Sequence, residues 1–449
     1  MKATDIKRYV GIVPRVKKTA KGEARPTLVA VMRDGAVVGE FELETEQDEL
    51  DFVDSIFPNA WRKAAIGEDL AAFKPYHILY RKPFESEDTS IWPVKFTERT
   101  AKGEVIGVPD KVPEKFLGLE AGDVIAMCLG GSGDNFSFAL SCRAEEIGAQ
   151  VWRIPPFVLK ELRGAEAKKD EDHKLLTMTA ESYADKFYPV IVRDRDIIKV
   201  RETLRVRTDA MIARIGCEQR LRQRFIGQIF CSEAGLYPQG GLEKEFDAVK
   251  ASDAILSALL TEEASALKEM TKAVEATEVY QKLLSTVTGL GPAIAARIIS
   301  AVQDIRRFQK SSQLKKYMGA HVMDDGRFPR RRNNEIANWQ PDARQALYLL
   351  ADQFNRRPGT EWGDYLRKMK AEYRLRHPEK IQVEVPDPDN HGKIKKVWKY
   401  TDAHIHKMGS WRTISRFVEW LHAAWWRLER EGKAEVKTEA IPPATPPAE

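Results

Sequence analysis

The stretch that decides the fold runs from Thr288 to Trp339 and reads TGLGPAIAARIISAVQDIRRFQKSSQLKKYMGAHVMDDGRFPRRRNNEIANW. It opens on a glycine turn between two helical patterns. Gly289 suits the left-handed position that follows a helix end, and Pro292 suits the first turn of the next helix. Beyond the turn, apolar residues recur at helical spacing at Ile294, Ile298 and Val302. The pattern predicts a helix-hairpin-helix.

The start of the second helix is a candidate anion site. The first N–H groups of a helix have no partner within the helix, and a glycine lets a ligand approach the backbone closely, so a nucleic-acid phosphate fits there. The residues expected to position that phosphate are Gly289, Gly291 and Arg297.

Lysine and arginine accumulate directly downstream of the turn, and such a cluster favours nucleic-acid binding. A solvated basic face over two packed helices is the alternative interpretation. The side chains expected to hold a nucleic-acid backbone are Lys315, Lys316, Arg330, Arg331 and Arg332.

Length and composition set the frame for these motifs. A chain of 449 residues predicts two or three domains, and its 43% hydrophobic content is enough for real cores. The net charge of +5 is modest, so the basic character is local. The sequence contains no apolar run of about 18 residues and no signal-peptide core, so we expect a cytoplasmic protein without a membrane span. Its cysteines show no CxxC spacing.

The first part of the chain predicts strands followed by a helix. Strands are expected at 9–13, 28–32 and 37–43, the last two joined at Asp34-Gly35, a tight-turn signal. Thr45 with Asp48 resembles a capping box that starts a helix. Prolines and glycines interrupt residues 58–120, which predicts a loop-rich insertion.

A regular pattern of predicted strands and helices resumes after Asp123. Residues 124–129, 134–147 and 150–154 predict a strand, a helix and a strand, and therefore a parallel strand pair. Gly130 to Gly133 follow the first strand, where α/β sheets place ligands. This loop matches neither the P-loop pattern nor GxGxxG, so a tight turn is the preferred interpretation.

Acidic residues and a histidine precede the next helical pattern, in the run Asp170-Glu171-Asp172-His173. Acids at a helix start interact favourably with the helix dipole, which accounts for them without any ligand. Carboxylates are also the groups that Mg²⁺ prefers. Both interpretations stay open at this point.

Long helices dominate the rest of the chain. Residues 194–230 and about 243–287 are helical patterns that either pack as an antiparallel pair or contribute to a dimer. The tryptophans of the last helical pattern are interpreted as core anchors rather than base-stacking platforms. Residues 381–398 are expected to form a loop or an irregular hairpin, and residues 433–449 to be disordered.

The order of these parts resembles the DEDD-class insertion-sequence transposases of the IS-one-ten group, which are Piv-like. The resemblance rests on Gly289-Leu290-Gly291-Pro292 and on the following F-x(5)-L-x(2)-Y-x-G pattern, formed by Phe308, Leu314, Tyr317 and Gly319. It implies an α/β plus α fold: a RuvC-like, RNase H-like mixed-sheet domain, then long helices, then an all-α helix-hairpin-helix domain. The implied boundaries are 1–190 with an insertion at 58–120, 191–280, 281–430, and a disordered tail at 431–449.

The resemblance also implies chemistry. In the family, four acids hold Mg²⁺, a serine attacks DNA, and a structured guide RNA directs some members to their sites. Here Val13 and Gly130 take the places of two acids, and the family's D-x-x-D falls on Asp170 and His173, with Asp172 one residue away. The segment between Gly319 and Trp339 holds neither serine nor threonine.

The remaining acids define the expected site. Asp170 and Asp172 are the candidate catalytic residues, and Asp134, Asp170 and Asp172 are the candidate Mg²⁺ ligands. The resulting prediction is a DNA-binding transposase or recombinase that uses a guide RNA and associates with itself through its long helices. The alternatives are a catalytically degenerate nucleic-acid-binding protein on the same scaffold, and a structural or assembly protein.

Overall fold

A computed structural model describes most of the chain, and it divides the protein into two compact units, Met1–Ile191 and Val192–Glu449. The described residues are 8–16, 24–86, 88, 96–100, 103–131, 133–164, 169–233, 235, 240–323, 328–329, 339–386 and 394–439. Only the backbone is described for 96–100, 103–106, 386 and 431–439. Among the described residues, every helix is too short or too polar to span a lipid bilayer.

The first unit is a mixed α/β structure. Its strands are β1 (Tyr9–Val13), β2 (Thr27–Arg33), β3 (Ala36–Leu43), β4 (Phe57–Lys63), β5 (Leu79–Arg81), β6 (Phe96–Thr100), β7 (Gly103–Leu117), β8 (Val124–Cys128), β9 (Gln150–Ile154) and β10 (Tyr188–Pro189). Its helices are α1 (Glu46–Val53), α2 (Asp134–Ile147), α3 (Pro156–Arg163) and α4 (Asp172–Ser182).

Six of these strands form the main sheet, in the order β10-β9-β8-β1-β2-β3. β1, β2 and β3 are antiparallel neighbours, whereas β8 runs parallel to β1 and β9 runs parallel to β8. The predicted turn at Asp34-Gly35 is confirmed, with φ values of 52° and 74°. The predicted capping box of Thr45 and Asp48 is also confirmed.

Helices cover both faces of this sheet. Val10 and Ile12 of β1 are fully buried on the face that carries α1 and α2. The opposite face packs against α3 and α4. β1 and α4 approach so closely that a methyl group on Gly11 would overlap the carbonyl oxygen of His173. Gly11 therefore allows α4 to lie directly on β1.

The segment predicted to be a loop-rich insertion holds more strand than expected. β4, β7 and β5 form a second sheet, and β6 also pairs with β7. The 15-residue β7 contains Pro109 and Pro113, and the pairing of β7 with β5 and β4 becomes irregular beside these two prolines. Proline lacks the N–H that a strand ladder uses. The sequence pattern therefore predicts less strand in this segment than the structure contains.

The second unit is mainly helical. Its elements are α5 (Val192–Phe230), α6 (Leu242–Ser252), α7 (Ala254–Ala276), α8 (Glu278–Lys282), α9 (Pro292–Val302), α10 (Ser311–Tyr317), α11 (Pro341–Asn355), α12 (Glu361–Arg376), β11 (Ile381–Pro386), β12 (Ile394–Lys399) and α13 (Asp402–Glu439). The predicted irregular loop at 381–398 contains an antiparallel pair, β11 with β12. The helix α13 continues beyond residue 431, where the sequence places the start of a disordered tail.

The long helices α5 and α7 pack as an antiparallel pair. Glu263 of α7 accepts hydrogen bonds from Arg207, at 3.4 Å, and from Arg214, at 2.6 Å. Further along α5, Arg222 pairs with Glu243 of α6, at 2.5 Å. From Arg207 to Arg222 along α5, the acidic partner moves back in the sequence from Glu263 to Glu243. The two helical segments therefore run in opposite directions. This is one of the two arrangements that the sequence left open.

One hydrophobic core joins α5 to α13 within this unit. Trp425, Phe417 and Phe354 are fully buried in it, and Trp362 meets Phe417 edge to face at 5.4 Å between ring centres. The tryptophan stripe of α13 thus serves mainly as a core anchor, as interpreted from its helical spacing. This core fixes the positions of α9, α11 and α12, on which the candidate site depends.

Candidate nucleic-acid interface

The glycine turn has the predicted backbone geometry. Gly289 has φ of +95°, in the left-handed region, as expected for the residue after a helix end. The N–H of Leu290 donates to the carbonyl oxygen of Val287 at 3.0 Å, and the Leu290 side chain is buried. The turn is therefore anchored in the core by one side chain while its glycines lie nearer the surface.

The second helix of the hairpin, α9, begins without a side-chain cap. Its N-cap residue, Gly291, is exposed, and a methyl group placed there would meet no atom within 4 Å. The N–H groups of Ile294 and Ala295 already donate to the Gly291 carbonyl oxygen, at 3.1 and 3.0 Å. Because Pro292 has no N–H, the amide of exposed Ala293 is the first-turn donor that remains for an anion. The geometry fits the predicted phosphate site.

Arg357 lies against this turn, and the sequence reasoning missed it. A methyl group on Gly289 would lie 3.3 Å from Cδ and 3.4 Å from Nε of Arg357. Its guanidinium donates to the carbonyl oxygen and to Oε1 of Gln353. Within the described part of the chain it forms no ion pair with an acid, so a positive charge lies beside the uncapped helix start. The only sequence signal was the Arg356-Arg357 pair at a helix end.

Arg297, predicted to position the same phosphate, lies farther along α9. It is half-buried and donates to Oε1 of Gln345 at 3.3 Å. Burial lowers the pKa of its guanidinium, and the charge of Arg207 lowers it further. The residue is six positions beyond Gly291, which is about 9 Å of helix. It therefore adds positive charge along α9 rather than at its first turn.

The predicted lysines lie at the other end of α9. The hydroxyl of Tyr317 donates to the carbonyl oxygen of Ala301 at 3.1 Å, and this contact places the end of α10 there. That end is about 15 Å from Gly291, because α9 rises about 1.5 Å per residue. Lys315 pairs with Glu419 at 2.7 Å, whereas Lys316 is exposed and has no ion pair among the described residues.

Positive charge also gathers around His321. Burial lowers the pKa of His321, and three positively charged neighbours lower it further, against an opposing hydrogen bond that the imidazole donates to the Lys315 backbone. The neighbours are Lys316, Arg344 and Lys315. Burial is the largest cause of this shift, and the part added by the three neighbours comes from cations at close range. The structure therefore holds a second basic centre, separate from the hairpin turn.

Arg344 gives this second centre a fixed geometry. Its guanidinium lies 4.8 Å from the ring centre of Trp339 and 4.5 Å from that of Trp411. It also donates to the carbonyl oxygen of Gly319 at 2.8 Å. The sequence did not point to this arginine, because one of its two aromatic partners, Trp411, is distant from it in the chain.

Arg306, also downstream of the turn, is not part of this candidate interface. Arg306 is buried and paired with Asp304 and Asp194, so its role is structural. Arg330, Arg331 and Arg332, which were expected to hold the nucleic-acid backbone, lie outside the described residues.

The candidate metal ligands of the first unit are each next to a different arginine. Asp172 accepts two hydrogen bonds from Arg163, both at 2.6 Å. Asp170 pairs with Arg25 at 2.5 Å on the surface. The buried carboxylate of Asp134 lies 3.5 Å from Arg153.

These pairs give the acids partners other than a metal ion. In the described parts of the chain, no three His, Cys, Asp or Glu side chains converge as a metal-holding group. Val13 ends β1 and Gly130 follows β8, so the sheet edge lacks carboxylates at both of those positions. The assignment of catalysis and Mg²⁺ to Asp134, Asp170 and Asp172 stays a prediction.

Comparison with known families identifies the hairpin segment. Residues 281–366 match the sequence model of the Transposase IS116/IS110/IS902 family, over about a fifth of the chain. The match spans the glycine turn, α9, α10, α11 and the start of α12. It supports an IS110-type transposase and a function in transposition. No curated protein matches the chain.

Proposed function

We propose that this chain binds DNA in a transposition reaction and that the second unit contacts the phosphate backbone. The observation that carries the proposal is the uncapped start of α9 at exposed Gly291, with Arg357 beside the same turn. This pair of features lies inside the segment that matches the transposase family. An exposed amide and a nearby guanidinium together suit one phosphate.

The second basic centre extends the proposed contact. Lys316 is exposed, and Arg344 is held by two tryptophans. About 15 Å separates the two ends of α9, which is the axial length of four to five phosphates of one DNA strand at about 3.4 Å each. A single strand following α9 would therefore meet both centres.

For the first unit we propose an RNase H-like, RuvC-like scaffold. The proposal is supported by the sheet, in which an antiparallel β1-β2-β3 meander is extended by β8 and β9 in parallel, with helices on both faces. This is the strand order of an RNase H-type sheet.

Mg²⁺ does not fit the donor set of this scaffold as described. Both carboxylate oxygens of Asp172 accept from Arg163, so the carboxylate charge is already paired and the guanidinium would repel a divalent cation placed there. Asp170 is on the surface with Arg25, and Asp134 is buried beside Arg153. This arrangement favours the second candidate function, a nucleic-acid-binding protein that retains the transposase scaffold.

We also propose two further partners, a second copy of this chain and a structured guide RNA. Self-association through the long helices is supported by apolar side chains that α5 and α7 leave exposed, including Ile212 at 60% and Ile255 at 68% exposure. A structured guide RNA is implied by the resemblance alone. The same basic centres would serve either nucleic acid, because both present phosphates.

Salt-dependent DNA binding tests the proposed function. Fluorescence anisotropy with a labelled duplex, measured from 50 to 200 mM KCl, should show affinity falling steeply with salt. Arg357→Gln should weaken binding and reduce the slope of log K against log salt by about 1, because one phosphate contact is lost. Lys316→Gln should act in the same way.

The neighbouring arginine supplies a matched control. Arg356 is exposed and paired with Asp352 at 2.9 Å, so Arg356→Gln removes the same charge one residue away. Its salt slope should equal that of the unmodified protein. If Arg357→Gln and Arg356→Gln behave alike, the hairpin is not a phosphate contact.

A further inference from the structure

A groove of about 360 Å³ lies in the second unit, beside the basic centre at His321. One face of α12 forms its floor, α13 contributes one side, and Val322 with Phe328 forms the other. On an adjoining part of the same helix, Trp362 and Leu366 are buried in the core. Met369 of the groove lining is buried as well, so α12 is held in place by packing next to the groove.

Aromatic rings line this groove. Tyr365 and Tyr373 lie two turns apart on α12, about 12 Å along the helix. Phe328 faces them from the other wall and packs on Trp411 at 5.9 Å between ring centres. Flat rings on more than one wall provide stacking surfaces for another flat ring.

Charged groups lie at the same groove. Arg412 is exposed, and in the described part of the chain it forms no ion pair. The guanidinium of Arg376 lies 5.6 Å from the ring centre of Tyr373 and 3.7 Å from the carboxylate of Glu372. These arginines can hold a phosphate, and Glu372 can accept a hydrogen bond from an exocyclic amino group.

We propose that the groove takes one unpaired nucleobase of a nucleic-acid strand, with its phosphate held by Arg412 and Arg376. The volume is at the low end of small-molecule sites, about 300 to 1,000 Å³, which suits one nucleotide and excludes a paired duplex. The wall residue Val322 directly follows His321, so a strand held at the second basic centre reaches the groove. This proposal rests on the nucleic-acid function proposed above.

The test compares two labelled duplexes of equal length, one fully paired and one with a single bulged 2-aminopurine. The unmodified full-length protein should bind the bulged duplex about tenfold more tightly, since stacking of one base contributes about 1–3 kcal/mol and tenfold corresponds to about 1.4 kcal/mol. Stacking should also quench the emission of the bulged base. Tyr373→Ala and Arg412→Gln should each lose this preference and bind the paired duplex within about twofold of the unmodified protein.

Three further variants separate stacking from general damage. Tyr373→Phe keeps the ring and should keep the preference. Tyr348→Ala removes an exposed tyrosine from α11, and Arg427→Gln removes an exposed arginine from α13, both outside the groove; both should behave as the unmodified protein. Equal binding of the two duplexes by the unmodified protein would overturn the groove proposal alone. Binding of neither duplex would overturn the proposed function and the groove with it.

Discussion

At the scale of single residues, Gly289 and Gly291 occupy one turn for different physical reasons. Gly289 has a left-handed backbone, and a methyl group there would lie 3.2 Å from Cβ of Gln353. Gly291 has an extended backbone, with φ of −79°, and open space around it. The fold therefore requires a glycine at position 289. At position 291 only a ligand that approaches the backbone from solvent would require one.

Substitution of the two glycines should separate stability from binding. Gly289→Ala should lower the free energy of unfolding by about 1–2 kcal/mol, because an L-residue is strained in the left-handed region. Gly291→Ala should change it by less than about 0.5 kcal/mol, since the weaker N-cap preference of alanine is offset by a less flexible unfolded chain. Urea unfolding followed by circular dichroism measures both.

The DNA affinities of these variants complete the comparison. The added methyl group at Gly291 lies where a phosphate would approach the amide of Ala293, so Gly291→Ala should bind DNA several-fold more weakly at unchanged stability. Unaltered affinity in Gly291→Ala would argue that no anion reaches this helix start.

The candidate site illustrates what a sequence reveals at this scale. Gly289, Gly291 and Pro292 were predicted because a helix end and a helix start have local requirements. Arg357 was not predicted, because it meets Gly289 only after α11 packs on the turn. The pairing of Arg25 with Asp170 was missed for the same reason, because the two residues are distant in the chain and adjacent in the fold.

At the scale of secondary-structure elements, a buried charge network joins three parts of the second unit. Arg306, in the segment between α9 and α10, pairs with Asp194 of α5 at 2.5 Å and lies 4.0 Å from Glu429 of α13. Burial lowers the pKa of Arg306, but Asp304 and Asp194 outweigh it and raise the pKa overall. The guanidinium stays charged and holds the acidic side chains together.

Removing this guanidinium should be costly. Arg306→Met leaves buried carboxylates unpaired and should lower the free energy of unfolding by about 3–5 kcal/mol. The neighbouring Arg307 is half-buried and donates to the carbonyl oxygen of Val302, so Arg307→Met should cost about 1 kcal/mol. Thermal and urea unfolding of the two variants provide the measurement. Similar losses in both would show that the network does not hold these elements together.

Helices and strands differed in how well the sequence predicted them. The helix α5 was expected over 194–230 and runs over Val192–Phe230, because its apolar periodicity is a local property. The strand β7 pairs with β6, which directly precedes it, and with β4 and β5, which are distant in sequence. It also passes through two prolines. Predictions based on local sequence treat those prolines as interruptions of a strand. The pairing that overcomes them is visible only in the fold.

At the scale of the whole molecule, the two units divide the proposed functions. The first contains a mixed sheet with its own buried faces, and the second contains a separate hydrophobic core that extends from Ile197 to Leu428. All described residues of the hairpin, the second basic centre and the groove belong to the second unit. We therefore expect the second unit by itself to account for most of the DNA affinity.

Separate expression of the units tests this division. Residues 192–449 should fold independently, because their core closes within the unit, and should show a cooperative helical transition by circular dichroism. This fragment should bind the labelled duplex within about tenfold of the full chain, with a similar salt slope, since the proposed phosphate contacts are retained. Residues 1–191 should bind at least tenfold more weakly than the second fragment. A folded second fragment without DNA affinity, beside a first fragment that binds, would assign the interaction to the sheet unit and refute the hairpin as the main contact.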